Sequence, residues 1–194
     1  MIVGIDEVGR GAWAGPMVVG AVLLGDATIE GLTDSKKLSK RQRELLDIEI
    51  RQKALAIGLG WVSAKQIDQI GLSEALKLAS RKALAHIRHE YREIIIDGTI
   101  ALINDPRVTL MKKADLLVPS VSAASIVAKV ARDNYMKHLD GVFPGYKFPT
   151  HVGYGTAAHI AAIGTLGVTP LHRLSFAPLK KYQTILTQTL DYEN

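Results

Sequence analysis

Two adjacent acids near the N-terminus are the first residues whose types and spacing could do chemistry. Asp6 and Glu7 follow the apolar run at residues 2–5 and precede Gly9-Arg10-Gly11, which carries one permanent cation. Carboxylate oxygens suit Mg²⁺ or Mn²⁺, and Mg²⁺ prefers a few carboxylates together with substrate phosphates. Glycine lets a backbone approach a ligand closely because no Cβ intervenes. The pattern indicates a divalent cation beside a phosphate-bearing substrate; the alternative is a strand end followed by a turn with solvated charges.

Two further acids each come just after a strand-like run. Asp97 follows the apolar residues 94–96, and Asp115 follows the segment 108–114. Ligand sites of α/β sheets gather at strand ends, so the four acids could share one pocket. Like charges at that range raise each other's pKa, so such a cluster requires cations. Taken singly, Asp97 could be a turn residue before Gly98, and Asp115 could be a surface acid paired with Lys112 or Lys113.

A cluster of this kind could hydrolyse a phosphodiester without a protein nucleophile. Two Mg²⁺ ions about 4 Å apart could clamp the attacking and leaving oxygens. The chain has no cysteine, which excludes disulfides, thiolate catalysis and Cys-ligated metal centres but not this chemistry.

Composition narrows the class of protein. The chain has 194 residues, of which 47% are hydrophobic and 22% charged, and its net charge is +5. These values are typical of one globular domain, and a moderate basic excess permits a polyanionic partner without requiring one. No signal peptide and no run as long as a membrane span is present, so we expect a soluble, cytoplasmic protein that does not bind membranes.

The elements that must position these acids follow from hydrophobic periodicity and turn residues. Strands are predicted at residues 2–6, 17–24, 57–62, 94–96 and 108–111, the first two antiparallel. Helices are predicted at residues 39–55, 63–71, 73–89, 118–138, 156–164 and 179–190, with a structured loop at 143–155. The chain is therefore predicted to be one α/β domain, residues 1–194, whose C-terminal part from about residue 140 is helical.

Helix starts are marked by local sequence. Ser39 with Gln42, and Ser63 with Gln66, match the capping box, in which Ser and Gln side chains each bond a free backbone N–H. Ser73 is the predicted cap of the next helix. The first helix is predicted to bury three apolar residues: Leu45, Ile48 and Leu55.

Several sequence blocks together resemble the ribonuclease HII family, the type 2 ribonucleases H. They occur in the family's order over most of the chain. The blocks are residues 4–11 (GIDEVGRG), 14–16 (AGP), 34–39 (DSKKLS), 96–98 (IDG), 113–115 (KAD), 122–130 (SAASIVAKV), 132–133 (RD), 153–156 (GYGT), His159, 172–173 (HR) and 175–176 (SF). Each block alone is a weak signal, whereas the set is specific. One departure is Ala12, where proline is common in the family.

The resemblance implies a ribonuclease H-like mixed sheet flanked by helices. It also implies metal-dependent endonucleolytic hydrolysis of the RNA strand of RNA–DNA hybrids, with roles in ribonucleotide excision repair and DNA replication. Incision 5′ to a single ribonucleotide embedded in duplex DNA is implied too, leaving a 3′-hydroxyl and a 5′-phosphate. The expected cofactor is Mg²⁺ or Mn²⁺, with two ions during catalysis, and we expect a monomer.

The resemblance also implies roles for individual residues. Its metal-binding catalytic acids fall on Asp6, Glu7, Asp97 and Asp115. Gly9-Arg10-Gly11 would sense the ribose 2′-hydroxyl, the group that distinguishes RNA from DNA. Tyr154 would pack on the next sugar and favour a deoxyribose there; the alternative is a loop aromatic that covers the core edge. The candidate phosphate-binding cations are Lys36, Lys37, Lys129 and Arg132, which could instead be solvated surface charges.

Other polar residues of these blocks are assigned structural roles. Asp133 is expected to form an ion pair with Arg132 or a nearby lysine. His159 and His172 could be taken for general acids, but we expect structural hydrogen bonds, because a lone histidine lacks catalytic partners.

Three alternatives to ribonuclease HII remain open from the sequence. Ribonuclease HIII shares the fold but generally replaces the arginine of Gly-Arg-Gly and carries an extra N-terminal domain, whereas this sequence starts at the catalytic strand. A non-catalytic nucleic-acid-binding domain would gain nothing from four acids where a polyanion docks. A Mg²⁺-dependent phosphatase would act on free nucleotide phosphates but not on hybrids.

A short segment near the C-terminus resembles a sliding-clamp motif. Residues 183–186 (QTIL) match its first half, but Thr189 and Leu190 replace the two aromatics that it requires. We therefore expect no clamp binding.

Overall fold

A five-stranded mixed sheet forms the centre of the molecule. A computed structural model describes residues 1–182 of the chain. The strands are arranged in the order β3-β2-β1-β4-β5. They are β1 (Ile2–Val8), β2 (Met17–Leu23), β3 (Ala56–Val62), β4 (Glu93–Asp97) and β5 (Val108–Met111). β1 pairs antiparallel with β2, as predicted, and parallel with β4, which pairs parallel with β5.

Helices cover both faces of this sheet. They are α1 (Lys40–Lys53), α2 (Ala64–Ile70), α3 (Leu72–Leu84), α4 (Ala114–Leu117), α5 (Pro119–Val142), α6 (Phe148–His151) and α7 (Ala157–Leu166). Apolar residues of α3 form one core cluster with the sheet, and those of α1 and α5 form another on the opposite face. The mixed sheet flanked by helices confirms the predicted fold class.

Helix α5 lies directly against β1 and β2 because glycines face it. A Cβ on Gly4 would lie 2.1 Å from the carbonyl carbon of Ser120, and one on Gly20 would lie 2.4 Å from the Ala124 oxygen. Real side chains cannot be accommodated at such distances, so the helix backbone approaches the strands only because both residues lack a Cβ. This close packing brings the polar residues of α5 to the acids of β1.

The capping boxes at Ser39 and Ser63 are both present, which confirms the starts of α1 and α2. The predicted cap at Ser73 was wrong. Helix α3 begins after Gly71, which has a φ of 78° and provides no side-chain cap. The helix ends at Leu84 rather than near residue 89. Helices α4 and α6, each four residues long, were not predicted.

The predicted buried face of α1 was also wrong. Leu45, Ile48 and Leu55 are 59%, 54% and 48% exposed, whereas Ile50 is fully buried. Leu46 and Ala54, four residues to either side of Ile50, pack on the same cluster. Residues four apart share a helix face, so the contact with α5 selects the stripe through Ile50.

The C-terminal part packs as a separate apolar cluster on the end of α5. Its buried members include Met136, Tyr146, Phe148 and Ile163. The helix predicted at residues 179–190 and the clamp-like segment at 183–190 lie mostly or wholly outside the described residues. None of the helices within residues 1–182 has both the length and the apolar character required to cross a bilayer.

Candidate active site

The register of β1 and β4 places two of the predicted acids side by side. Ile5 pairs with Ile96 in the parallel ladder, so Asp6 and Asp97 are the next residues on neighbouring strands. Adjacent strands lie about 4.8 Å apart, which puts the two carboxyl groups within strong electrostatic range. Asp6 is 7% exposed, and Glu7 follows it on the same strand.

Asp115 is joined to this pair through α4. Asp97 ends β4, and its Oδ1 accepts a 2.8 Å hydrogen bond from the backbone N–H of Ala114, the first residue of α4. Asp115 follows immediately and is buried. The chain reverses into α4 through Lys113, whose φ of 60° is left-handed. The structure therefore brings all four predicted acids to one end of β1 and β4.

Electrostatics show that these acids interact. Burial, and then the charge of Glu7, raise the pKa of Asp6 to about 7. Burial and the charge of Asp97 raise the pKa of Glu7, although Arg10 opposes them. Burial and Asp97 also raise the pKa of Asp115. Raised values mean that the ionised cluster is unfavourable without a compensating cation.

Lys36 supplies one such cation. Burial acts to lower its pKa, but four nearby carboxylates outweigh burial and raise that pKa above its ordinary value. They are Asp34, Asp6, Asp115 and Asp97. Lys36 is held there because its backbone N–H bonds the Asp34 side chain at the start of a 3₁₀ turn. The lysine therefore faces the acids and not only the solvent.

The donor set fits a hard divalent cation, but the side chains do not form a finished cage. Among residues 1–182, no three acidic or histidine side chains converge closely enough to enclose a metal ion. One oxygen of Asp97 is already engaged by the N–H of Ala114. Oxygen ligands whose proton affinity is raised suit Mg²⁺ or Mn²⁺, and Mg²⁺ usually retains waters and substrate oxygens in its shell.

Gly9-Arg10-Gly11 forms a turn directly after β1, in which Gly9 is buried and Arg10 and Gly11 are exposed. Gly9 has a φ of 82°, a conformation that favours glycine, and a Cβ there would lie 2.2 Å from the Arg132 side chain. A Cβ on Gly11 would meet no atom within 4 Å, so this position opens onto free space. Arg10 is exposed and lies 3.7 Å from the Glu7 carboxylate. The turn therefore packs against Arg132 at Gly9 and faces open space at Gly11.

One cavity joins several predicted site residues that are far apart in sequence. Its volume is about 330 Å³. It is lined by Glu7, Val8, Ser35, Lys36, Ser125, Lys129 and Tyr154. An acid, two lysines and the half-buried tyrosine therefore share one concave surface beside the Gly9-Arg10-Gly11 turn.

The remaining predicted cations differ in placement. Lys37 is exposed beside Lys36. Lys129 lines the cavity and forms a 2.9 Å ion pair with Asp133, which confirms the ion pair predicted for that acid. Arg132 does not fit the phosphate contact predicted for it, because its side chain is fully buried and donates to the backbone carbonyls of Pro16, Ala14 and Val152.

Two serines near the acids were missed from the sequence. The hydroxyl of Ser125 in α5 favours the ionised form of Asp6 and so lowers the pKa of that acid against the effect of burial. Its Oγ also lies 2.9 Å from the Oγ of Ser35. The signal for Ser125 was a hydroxyl within the Ala-rich block of α5, but its partners could not be identified without the packing of α5 on β1.

The two histidines have the structural roles predicted for them. His172 and His159 are buried, and their Nε2 atoms lie 3.1 Å apart. The Nδ1 of His172 accepts from the N–H of Thr169, so its Nε2 carries the proton and donates to His159. The Nδ1 of His159 in turn donates to the backbone carbonyl of Tyr154.

Comparison with known proteins identifies relatives over most of the chain. The family described as ribonuclease HII matches residues 3–179. A ribonuclease HII of Bacillus cytotoxicus is 47% identical over 180 residues, covering 92% of this chain and 69% of that protein.

Solved structures share the fold. A ribonuclease HII from Archaeoglobus fulgidus, solved as a complex with PCNA, superposes with a TM-score of 0.75 at 27% identity, covering 94% of this chain and 96% of that one. Bst-RNase HIII in complex with Mn²⁺ superposes with a TM-score of 0.73 at 23% identity, covering 95% of this chain and 69% of that one, a likeness of fold alone.

Proposed function

The chain belongs to the ribonuclease HII family and is a ribonuclease H, and we propose that it also incises duplex DNA at single ribonucleotides. Its general activity is hydrolysis of phosphodiester bonds in the RNA strand of RNA–DNA hybrids. The proposed incision lies 5′ to the ribonucleotide and leaves a 3′-hydroxyl and a 5′-phosphate.

Two Mg²⁺ or Mn²⁺ ions are proposed to bind the four acids. Asp6 would contact both ions, Glu7 and Asp97 one of them, and Asp115 the other. When bound, such ions promote deprotonation of the attacking water and stabilise the leaving oxygen. The support is the position of Asp6 and Asp97 on paired strands and the mutual influence of the acids on their pKa values.

The lysines are proposed to position the nucleic acid. Lys36 lies among the carboxylates and reduces their repulsion of a phosphate chain. Lys129 opens onto the same cavity, where a phosphate would compete with Asp133 for its ammonium group. Lys37 is exposed on the adjoining surface. Phosphate contacts of this kind fix register without reading sequence.

The Gly9-Arg10-Gly11 turn is proposed to recognise the ribose 2′-hydroxyl. Free space above Gly11 allows a sugar to approach the backbone, which any side chain there would obstruct. Tyr154 lines the same cavity and would pack on the following sugar. It would favour deoxyribose there, because the 2′-hydroxyl of a ribose would crowd the tyrosine ring. The observation that carries the proposal is the single cavity shared by Glu7, Lys36 and Tyr154.

Asp97→Asn tests the proposal with little disturbance of the fold. The asparagine Oδ1 can still accept from the Ala114 N–H, so α4 keeps its anchor while one negative ligand is lost. A labelled duplex containing one ribonucleotide is incubated with parent and variant, with and without Mg²⁺ or Mn²⁺. We expect the parent to cut 5′ to the ribonucleotide only with metal, and the variant to bind the duplex but lose at least about 100-fold in rate, in line with loss of a major electrostatic contribution.

The matched control is Asp26→Asn, the same change at an exposed acid. It should cut at the parental rate. A near-parental rate for Asp97→Asn would remove that residue from the mechanism. Cleavage of uniform hybrids without any cut at a single ribonucleotide would refute the incision proposal but leave the family activity intact.

A further inference from the structure

Two fully buried arginines lie beneath the residues proposed to read the sugar. Arg132 comes from α5 and Arg173 from the C-terminal part, and both are 0% exposed. Within residues 1–182 neither forms an ion pair with a carboxylate, and their side-chain hydrogen bonds go to backbone carbonyls. The charges of Asp133 and Asp68 attract Arg132 and Arg173 respectively, but burial outweighs that attraction. Burying both cations is therefore unfavourable, and the arrangement calls for a reason other than stability.

Arg132 connects two loops. Its Nε and Nη2 donate to the carbonyls of Pro16 and Ala14 at 2.8 and 3.1 Å, and its Nη1 donates to the carbonyl of Val152 at 2.9 Å. Its guanidinium also lies 5.7 Å from the centre of the Tyr154 ring. Residues 9–16 are called the 9–16 loop below. One side chain therefore touches this loop, the backbone before Tyr154 and the tyrosine ring.

Arg173 holds the other side of the 9–16 loop. Its Nη1 donates to the carbonyl of Arg10 at 3.0 Å, inside the glycine-flanked turn. Its Nε and Nη2 both donate to the carbonyl of Gly15, at 3.1 and 2.9 Å. The planar fork of a guanidinium can satisfy carbonyls on two sides at once, whereas an ammonium group offers only a point charge.

Backbone bonds make the two loops one unit. The N–H groups of Trp13 and Ala14 both donate to the carbonyl of Gly153, at 2.8 and 3.1 Å, and the N–H of Arg173 donates to the carbonyl of Trp13 at 2.8 Å. A shift of the 9–16 loop would therefore be transmitted to the residue next to Tyr154.

The two cations also oppose one another. Burial lowers the pKa of Arg132, and burial together with the charge of Arg132 lowers the pKa of Arg173 to about 9. Both remain charged at neutral pH and keep the loop carbonyls satisfied. An apolar residue would avoid this repulsion, but it could not define the position of those carbonyls.

We propose that Arg132 and Arg173 are positioning residues for sugar discrimination, holding the 9–16 loop in register with Tyr154. The inference rests on the proposed function, because it assigns those two elements to neighbouring sugars. Neither arginine touches the nucleic acid; each acts through backbone carbonyls and, for Arg132, through the tyrosine ring.

The test uses Arg132→Lys and Arg173→Lys, which keep the charge and most of the side-chain length but lose the fork. The readout is the ratio of two kcat/KM values. The first is measured on a duplex with one ribonucleotide followed by deoxyribose, and the second on a uniform RNA–DNA hybrid. We expect this ratio to fall on the order of tenfold in each variant, because a misplacement well under 1 Å is enough to reduce rates that depend on orientation. Arg51→Lys, the same change at a surface residue of α1, should leave the ratio unchanged.

A second arm separates positioning from general support of the fold. In a Tyr154→Ala background, Arg132→Lys should have no further effect on the ratio, since residues that act as one unit are not additive. Equal losses on both substrates, with an unchanged ratio, would overturn the proposal. A parent that cuts hybrids but not single ribonucleotides would instead refute the function on which the proposal rests.

Hydrogen exchange on the unmutated protein covers the case of variants that do not fold. The amides of Trp13, Ala14 and Gly15 should exchange as slowly as those of the β1–β2 ladder, because the hydrogen bonds from Arg132 and Arg173 prevent local opening of the 9–16 loop. Exchange as fast as in an exposed loop would overturn the proposal regardless of the variants.

Discussion

Replacing His172 with glutamine is expected to flatten part of the pH dependence of folding stability. Burial, and then the charge of His159, lower the pKa of His172 from 6.5 to about 4, with a smaller contribution from His151. Glutamine can offer an oxygen to the Thr169 N–H and an N–H to His159, as His172 does, but it does not titrate.

The sign follows from proton binding. Between pH 6.5 and pH 4 the unfolded chain takes up a proton at His172 that the native state refuses, so stability falls as the pH falls through this window. At about 1.36 kcal/mol per pH unit, the neutral histidine contributes on the order of 3 kcal/mol above pH 6.5. About 2 kcal/mol of this should be lost between pH 7.5 and pH 5.0.

Urea denaturation of parent and variant, measured in EDTA from pH 7.5 to pH 5.0, isolates this contribution. The acids near Asp6 have raised pKa values and oppose the trend, but they are common to both proteins and cancel in the difference. Burial is the main reason why the pKa of His159 is lowered, and this contribution is also common to both proteins. The mutual coupling of His159 and His172 is part of the difference that the experiment measures. The parent should lose about 2 kcal/mol relative to His172→Gln.

His138→Gln, at an exposed histidine of α5, is the matched control and should follow the parent. Parallel curves for parent and His172→Gln would refute the reasoning. Such a result would mean that the histidine cluster accepts a proton without losing its hydrogen bonds.

Two further predictions concern the acids and the turn. Asp6→Asn should raise the melting temperature in EDTA, because a buried carboxylate beside Glu7 is removed. In the parent, Mg²⁺ at 100 times its Kd should stabilise the native state by about 2.7 kcal/mol, and Asp6→Asn should abolish this stabilisation. An equal Mg²⁺ shift in both proteins would exclude Asp6 as a ligand. Gly9→Ala should destabilise the fold by about 1–3 kcal/mol, since φ at this position is 82° and the new Cβ would meet Arg132. Gly11→Ala should leave stability unchanged but reduce cleavage of the single-ribonucleotide duplex. Thermal melts and rates on both variants check this, and cleavage at the parental rate by Gly11→Ala would contradict the proposed sugar contact.

Local patterns predicted the strands, most helices and the α/β character of the chain, whereas the ribonuclease H-like mixed sheet was implied by the resemblance. The capping boxes at Ser39 and Ser63 are satisfied within three residues, so nothing distant can change them. The acids at the ends of β1 and β4 were predictable for a similar reason, since parallel neighbours end on the same side of a sheet. Errors arose where a choice depended on packing, as at the face of α1 that meets α5.

The sequence by itself determined which acids, glycines and lysines the site can use, because those properties belong to residue types and to short spacings. Tertiary structure decided what each group faces. The resemblance made Arg132 a candidate for binding phosphate, yet its side chain is buried and its partners Pro16 and Ala14 lie more than a hundred positions away. Burial and hydrogen bonding depend on segments that meet only after folding. For this reason Arg132, which was predicted to contact the substrate, instead supports the 9–16 loop and the loop of Tyr154, which are proposed to recognise the sugars.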